Sequence, residues 1–312
     1  MRALESAHPG DRAAAARRDL HPRRHVGAYL VALLELTKPR ITQLVLLTAA
    51  AGFYLGSGGG VDVRLLVHTL IGVALVAAGT NAFNQVRERD VDARMRRTEG
   101  RPLPSGRVTP RAAARFAAII SVAGVLYLAL AVNVLTAALG ALTLGSYVLL
   151  YTPLKRTTTL NTLVGAVPGA LPIVGGWTAA GGALGPAVAA LFWILFLWQL
   201  PHFLALAWIY REDYRRAGLA MLSVADPDGR HTGRMVLAYA AALLPVSLLP
   251  TLLGVTGGLY FFGALALGVA YAGASLAMTR AATTARAWRL FLVSIVYLPA
   301  LLTLMVVDKV GA

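Results

Sequence analysis

The sequence predicts an all-α integral membrane protein, a bundle of nine transmembrane helices with its N-terminus on the cytoplasmic side. Three observations predict it. Apolar residues fill 57% of the 312 positions and charged residues only 14%, where a soluble domain carries about a quarter charged. The apolar residues gather into blocks of about 17–25, the length that crosses hydrocarbon as a helix. The basic residues fall almost wholly into alternate connections between those blocks. Helices are the natural choice because lipid offers no partner to an unpaired backbone group, and alternating ten-residue segments are absent.

The spans read 41–57, 64–86, 111–131, 134–152, 161–180, 186–210, 233–253, 257–279 and 287–307. Residues 1–27 ahead of them form a basic tail, rich in Pro, Arg and Ala and expected to be mobile. Glu5, Asp11 and Asp19 argue against a mitochondrial transit peptide, and no apolar core marks a secretory signal, so a bacterial plasma membrane is expected. No linker divides the spans, so 28–312 reads as a single domain. With nine spans, the tail and the connections after spans 2, 4, 6 and 8 share one side. Counted with the residues that border them, including the span ends on that side, they hold all of the 29 Lys and Arg except Arg64 and Lys309. Positive loops stay inside, which places these connections in the cytoplasm. The net charge of +15 therefore serves topology, anionic lipid or an anionic substrate; nucleic acid is not expected as a partner. The absence of cysteine excludes disulfides, thiolate catalysis and cysteine-ligated metals.

The polar end of span 2 carries the first chemical pattern. Asn84, Glu88 and Asp92 recur every four residues, so on a helix they form one stripe about 12 Å long, which Asn81 extends by a turn. Asp90 faces elsewhere and has Arg87 and Arg94 at helical pairing distance. Two carboxylates and an amide oxygen are hard ligands suited to Mg²⁺, which takes substrate phosphates and water as its other ligands. The plainer reading is a solvated helix of mixed charge. Asparagine within an apolar span favours function. So does the dense cationic segment from Arg94 to Arg107, which includes Arg97 and Arg101. Acids beside cations suit a metal diphosphate.

Further along, Lys155 and Arg156 close span 4, where positive charge also serves topology. Span 6 carries His202 directly after Pro201, whose ring frees a carbonyl one turn earlier that would pair with the imidazole. His68 in span 2 has no motif around it and reads as packing. After span 6, Glu212 and Asp213 are adjacent and point about 100° apart on a helix. Trp177, Trp198, Phe203 and Trp208 read as lipid belt or core. A span followed by an acidic and basic loop occurs at 81–107 and again at 199–230, a faint sign of two related halves.

Asn84-x3-Glu88-x3-Asp92 followed by Met95-x-Arg97-Thr98-x2-Arg101-Pro-Leu-x2-Gly-Arg resembles the UbiA superfamily of intramembrane prenyltransferases, closest to its haem-farnesylating branch. The likeness continues through Leu36-Thr-Lys38-Pro-Arg40, Tyr151-Thr-Pro-Leu-Lys155-Arg156, Asn161 to Trp177, Pro201-His202-Phe203 and Asp213-Tyr214-x2-Ala217-Gly218-x2-Met221-Leu222. Glu88 stands where the superfamily usually has Asp, Leu204 where Trp is common, and Ser223 where Pro is common.

The resemblance implies a bundle around a central cavity and transfer of farnesyl from farnesyl diphosphate to a vinyl group of haem B. It implies Mg²⁺ on Asn84, Glu88 and Asp92, with Asp213 for a second ion. Lys155 and Arg156 would grip the diphosphate. Asn81, Lys38, Arg40, Arg97, Arg101, Tyr151 and Asp213 would bind substrate, and His202 would touch the porphyrin, either at iron or as a proton acceptor. A downstream haem-modifying enzyme would be a partner. Three rivals remain: a quinone-type prenyltransferase of the same fold, a transporter of an anionic solute and a non-catalytic assembly scaffold.

Overall fold

Proline starts three of the spans, at Pro39, Pro110 and Pro186. Its fixed φ suits a first turn, and its missing N–H costs no bond there. The computed structural model describes residues 22–310, with side chains from residue 26. Of the tail expected over 1–27, residues 1–21 lie outside the described residues, and 22–27 open a helix, α1 (Pro22–Leu36). The bundle continues with α2 (Pro39–Gly56), α3 (Val63–Asp92), α4 (Pro110–Ala131) and α5 (Val134–Leu154), the last winding as a π-helix over Ser146–Tyr151. α6 (Asn161–Ala179) and α7 (Pro186–Ile209) come next. Two short helices, α8 (Arg211–Ala217) and α9 (Leu222–Ala225), lead to α10 (Arg230–Leu252), α11 (Gly258–Arg280) and α12 (Thr284–Val307). Among the described residues the strand-like feature is one isolated bridge, Thr256 to Lys309.

Among the described residues eight helices, α3 to α7 and α10 to α12, are long and apolar enough to cross a membrane. α2 stands at the place expected for the first span; Arg40 and Gln43 in its opening turns make its 18 residues less apolar. The chain is a multi-pass membrane protein. Its large outward side chains say the same, with Leu130 87%, Phe262 70% and Ile119 68% exposed, a surface that lipid solvates and water does not.

Two packing devices hold the helices in place. α2 and α6 meet backbone to backbone: a Cβ at Gly52 would collide with the Ile173 carbonyl, and one at Gly176 with that of Ala49. Small residues permit such close approach. The main core then runs through α2, α6, α7, α10, α11 and α12, around Leu191, Ile194, Tyr260, Tyr271 and Tyr297. At the basic end, Val91 and Met95 pack with Ala207, Ala217, Leu219 and Met221. That small cluster seats the connection after α3 against the one after α7.

Candidate active site

α3 outruns the span expected from apolar residues alone. It stays helical for six residues beyond position 86, because Arg87-Glu-Arg-Asp-Val-Asp92 contains neither glycine nor proline. Asn81, Asn84, Glu88 and Asp92 therefore share one rigid helix, and all four side chains are buried, Asn84 at 1% and Asp92 at 0% exposure. Asp90 is exposed and pairs with its neighbour Arg89 at 3.0 Å, not with Arg87 or Arg94 as the spacing suggested. On the exposed side of the helix, adjacency suffices for an ion pair.

Asn84, Glu88 and Asp92 each meet a cation from a different part of the chain. Lys38 Nζ donates to Asn84 Oδ1 at 2.8 Å. Lys155 Nζ lies 2.8 Å from Glu88 Oε1. Arg101 Nη1 donates to both oxygens of Asp92, at 2.9 and 2.8 Å. Thr152 adds a hydroxyl that accepts from Asn84 Nδ2 at 3.4 Å. Unpaired, such buried carboxylates would cost several kcal/mol, so the ring of cations and the stripe of acids require each other.

The positioning of the cations is local chemistry. Lys38 ends the turn between α1 and α2 in the left-handed conformation, φ 49°, as does no other non-glycine residue among those described. Pro39 bars Lys38 from the right-handed helical region. Asn81 and Gln85 on α3 donate to the carbonyls of Thr37, and of Glu35 and Leu36, pinning that turn. A strain of about 1–3 kcal/mol is thus held in place, and the side chain is aimed at Asn84. Burial first, then the charges of Arg101 and Lys155, push the Lys38 amine down to about 7. The π-helix at the end of α5 places the partner of Lys155: it brings Tyr151 under the ammonium, 4.4 Å from Nζ to ring centroid. Gly165 leaves room for that ring, since a Cβ there would sit 2.5 Å from Tyr151 Cε2.

The second acidic loop contributes one carboxylate. Asp213 is buried and accepts from the Arg97 backbone N–H at 3.4 Å while pairing with Arg216. Glu212 is exposed and paired with Arg215 at 2.6 Å. The two neighbours diverge, as their adjacency predicted. Arg97 lies over Tyr210, 4.8 Å from the ring centroid, so the two connections touch. Arg40 and Arg156 are exposed, and Arg156 reaches no further than the Arg87 carbonyl at 3.5 Å.

His202 lies apart from this group. Its Nδ1 is 2.7 Å from Ser294 Oγ on α12, and its ring stacks against Trp198 at 5.2 Å and Phe291 at 4.8 Å. The partner is a hydroxyl on another helix, not the carbonyl freed by Pro201, because sequence spacing cannot show what a neighbouring helix presents. His68 meets the Tyr127 hydroxyl at 2.7 Å. At the two remaining departures, Leu204 is buried in the main core and Ser223 donates to the Ala207 carbonyl at 2.8 Å.

The oxygen stripe fits a hard divalent ion by its donor chemistry. Among the described residues no three His, Cys, Asp or Glu side chains converge as a metal cage. An ion would therefore use two carboxylates and an amide, and complete its shell from a diphosphate and water. The residues that reasoning from sequence missed are Thr152, Gln85 and Ser294: the first two fall inside quoted motifs but off their named positions, and Ser294 has no motif around it.

The model of the UbiA prenyltransferase family matches residues 45–298. A protoheme IX farnesyltransferase of Solibacter usitatus is 48% identical over 289 residues, covering 89% of this chain and 98% of that one. Among solved structures, one of digeranylgeranylglyceryl phosphate synthase superposes with a TM-score of 0.76 at 18% identity, covering 90% of this chain and 98% of the other. A UbiA homologue from Archaeoglobus fulgidus, solved with GPP and Mg²⁺, superposes at 0.65 with 16% identity, covering 88% and 99%.

Proposed function

Because this chain belongs to the UbiA prenyltransferase family, we propose that it moves farnesyl from farnesyl diphosphate to a vinyl group of protohaem IX, adding water and giving haem O and diphosphate. The observation that carries the acceptor is the near-full-length likeness to a protoheme IX farnesyltransferase at 48% identity. The buried stripe of acids ringed by Lys38, Lys155 and Arg101 supports the diphosphate end of the reaction.

Asn84, Glu88 and Asp92 would hold Mg²⁺, with Asp213 across the loop contact; when bound, the ion supplies positive charge to the diphosphate oxygens. Lys155, Arg101 and Lys38 then turn from the acids to the substrate. Arg97, Arg156 and Arg40 add charge at the rim. As the farnesyl C1–O bond breaks, its electron pair leaves with diphosphate, and these cations stabilise the growing negative charge. Tyr151, already under the Lys155 ammonium, would offer its ring to the allylic cation as well. The vinyl terminus attacks C1, the positive charge moves to the carbon beside the porphyrin ring, and water adds there with loss of a proton. The apolar bundle keeps water from the allylic cation before that step. Basic connections at one end support a cytoplasmic active site in a bacterial plasma membrane.

The test uses purified protein, farnesyl diphosphate labelled in its prenyl chain, haem B and Mg²⁺. The label should appear in a porphyrin heavier by farnesyl and one water, and chelation of the metal should stop it. Label arriving in a phenolic quinone precursor, with haem B untouched, would reject the acceptor and keep the family.

A further inference from the structure

The His202 site holds more information than a contact, because its protons can be placed. Ser294 Oγ lies 2.6 Å from the carbonyl oxygen of Phe291, one turn back on α12. Two oxygens at that distance must have a proton between them, and a carbonyl has none to give. The single hydroxyl proton of Ser294 is therefore spent on Phe291. Ser294 Oγ also sits 2.7 Å from His202 Nδ1, and toward that nitrogen it has lone pairs alone to offer. Nδ1 must then carry the proton. In a neutral imidazole the other nitrogen, Nε2, is left with its lone pair free.

What surrounds the ring keeps that lone pair in one direction. Trp198 and Phe291 stack on it at interplanar angles of 26° and 28°. The Trp198 indole N–H donates to the Ser294 carbonyl at 2.9 Å, and the Tyr271 hydroxyl to the Trp198 carbonyl at 3.0 Å. Ser294 is fully buried, whereas His202 is only half-buried. Its Nε2 has no hydrogen-bond partner among the described residues and is not among the buried atoms left without one, so it opens onto accessible space.

An imidazole whose Nδ1–H is held by a buried oxygen, whose ring is clamped and whose Nε2 is open is the arrangement of a metal-ligating histidine with its outer partner. We infer that Ser294 is a positioning residue that fixes His202 as its Nδ1–H tautomer, so that Nε2 ligates the iron of the haem acceptor. The inference rests on the haem reading proposed above. No bond to the porphyrin changes in this step; Nε2 donates its lone pair to iron and holds the macrocycle by its metal.

The experiment is a titration of the full chain in detergent with ferric haem B alone, read by the Soret band and by the iron–histidine signature, with farnesyl diphosphate binding measured in parallel. Ser294→Ala should weaken haem affinity about 10–100-fold, as loss of an outer hydrogen bond to a ligand does, and should shift the iron signature. Ser294→Thr, which keeps the hydroxyl, should restore both. His202→Ala should abolish the signature, and farnesyl diphosphate should bind all three variants as it binds the parent. Ser294→Ala with unchanged affinity and spectrum overturns the inference even if His202→Ala loses the signature. An unchanged spectrum in His202→Ala overturns it too, while label transfer to haem by the parent protein would leave the proposed reaction standing. A parent protein that neither binds haem B nor transfers label to it would reject the reaction itself.

Discussion

Single side chains divide here into those buried at the proposed site and those beside it. Asp92 lies on the buried stripe and Asp90 on the open edge, two positions away. Asp92→Asn should abolish turnover with a normal melting profile, and Asp90→Asn should retain most of it; equal losses would refute the stripe. Lys155 and Arg156 are neighbours with unequal surroundings, one inside against Glu88, the other exposed. Lys155→Ala should lower turnover about 100-fold, the scale of one charge stabilising a leaving group at about 3 kcal/mol, and Arg156→Ala by much less. Steady-state rates on both variants decide this, and the reverse order would return Lys155 to a structural role. Lys38, with its amine near 7, is mostly neutral at pH 8 in the free protein. An arriving diphosphate favours the charged amine, so binding at pH 8 should take up a proton, and at pH 6 it should not. Calorimetry in buffers of differing ionisation enthalpy reads that uptake, and Lys38→Met should remove it. The stripe was legible in the sequence because i, i+4 spacing is sufficient to align side chains on a helix. Lys38 as a partner of Asn84 was not, because its aim depends on a positive φ that only the pinned turn enforces.

At the scale of elements, apolar block length located every long helix within a few residues. It failed at the polar end of α3, where helix propensity carries the chain past the apolar stretch, and at α1, whose 15 residues fall short of a span. The π-helix of α5 had no sequence signal at all; it is a tertiary outcome that brings Tyr151 and Thr152 to the site. Close packing was equally invisible, since glycine in an apolar run can mean several things. The structure makes it specific. Gly176→Ala should force α2 from α6, because the obstacle is the backbone at Ala49 and cannot rotate away. A melting temperature unchanged in detergent would contradict that. Gly165→Ala meets a side chain instead, so Tyr151 would shift: farnesyl diphosphate affinity should fall while stability drops by about 1–3 kcal/mol.

For the whole molecule, the charge pattern makes a statement about sidedness that the fold alone does not. A chain without cysteine is suited to testing it. Ser105→Cys, in the exposed connection after α3, should react with an impermeant maleimide only in inside-out vesicles. Gly59→Cys, in the exposed turn between α2 and α3, should react only in right-side-out ones. Reversed labelling would place the basic end outside and with it the proposed diphosphate site. How the helices pair across the bundle lay beyond the sequence, because apolar faces of similar composition are interchangeable until shapes are known.

One contact sets a schedule. Lys309 donates to the Tyr54 and Ser57 carbonyls at the far end of α2, at 2.7 and 2.5 Å. Ser57 and Lys309 are 252 positions apart, so during synthesis those carbonyls wait while the rest of the bundle is made. At about 5–20 residues per second, that wait is at least ten seconds or so. The carbonyls that close α2 therefore go without this partner until synthesis has reached Lys309, and the contact ties the end of α2 to the residue that follows α12 by two positions.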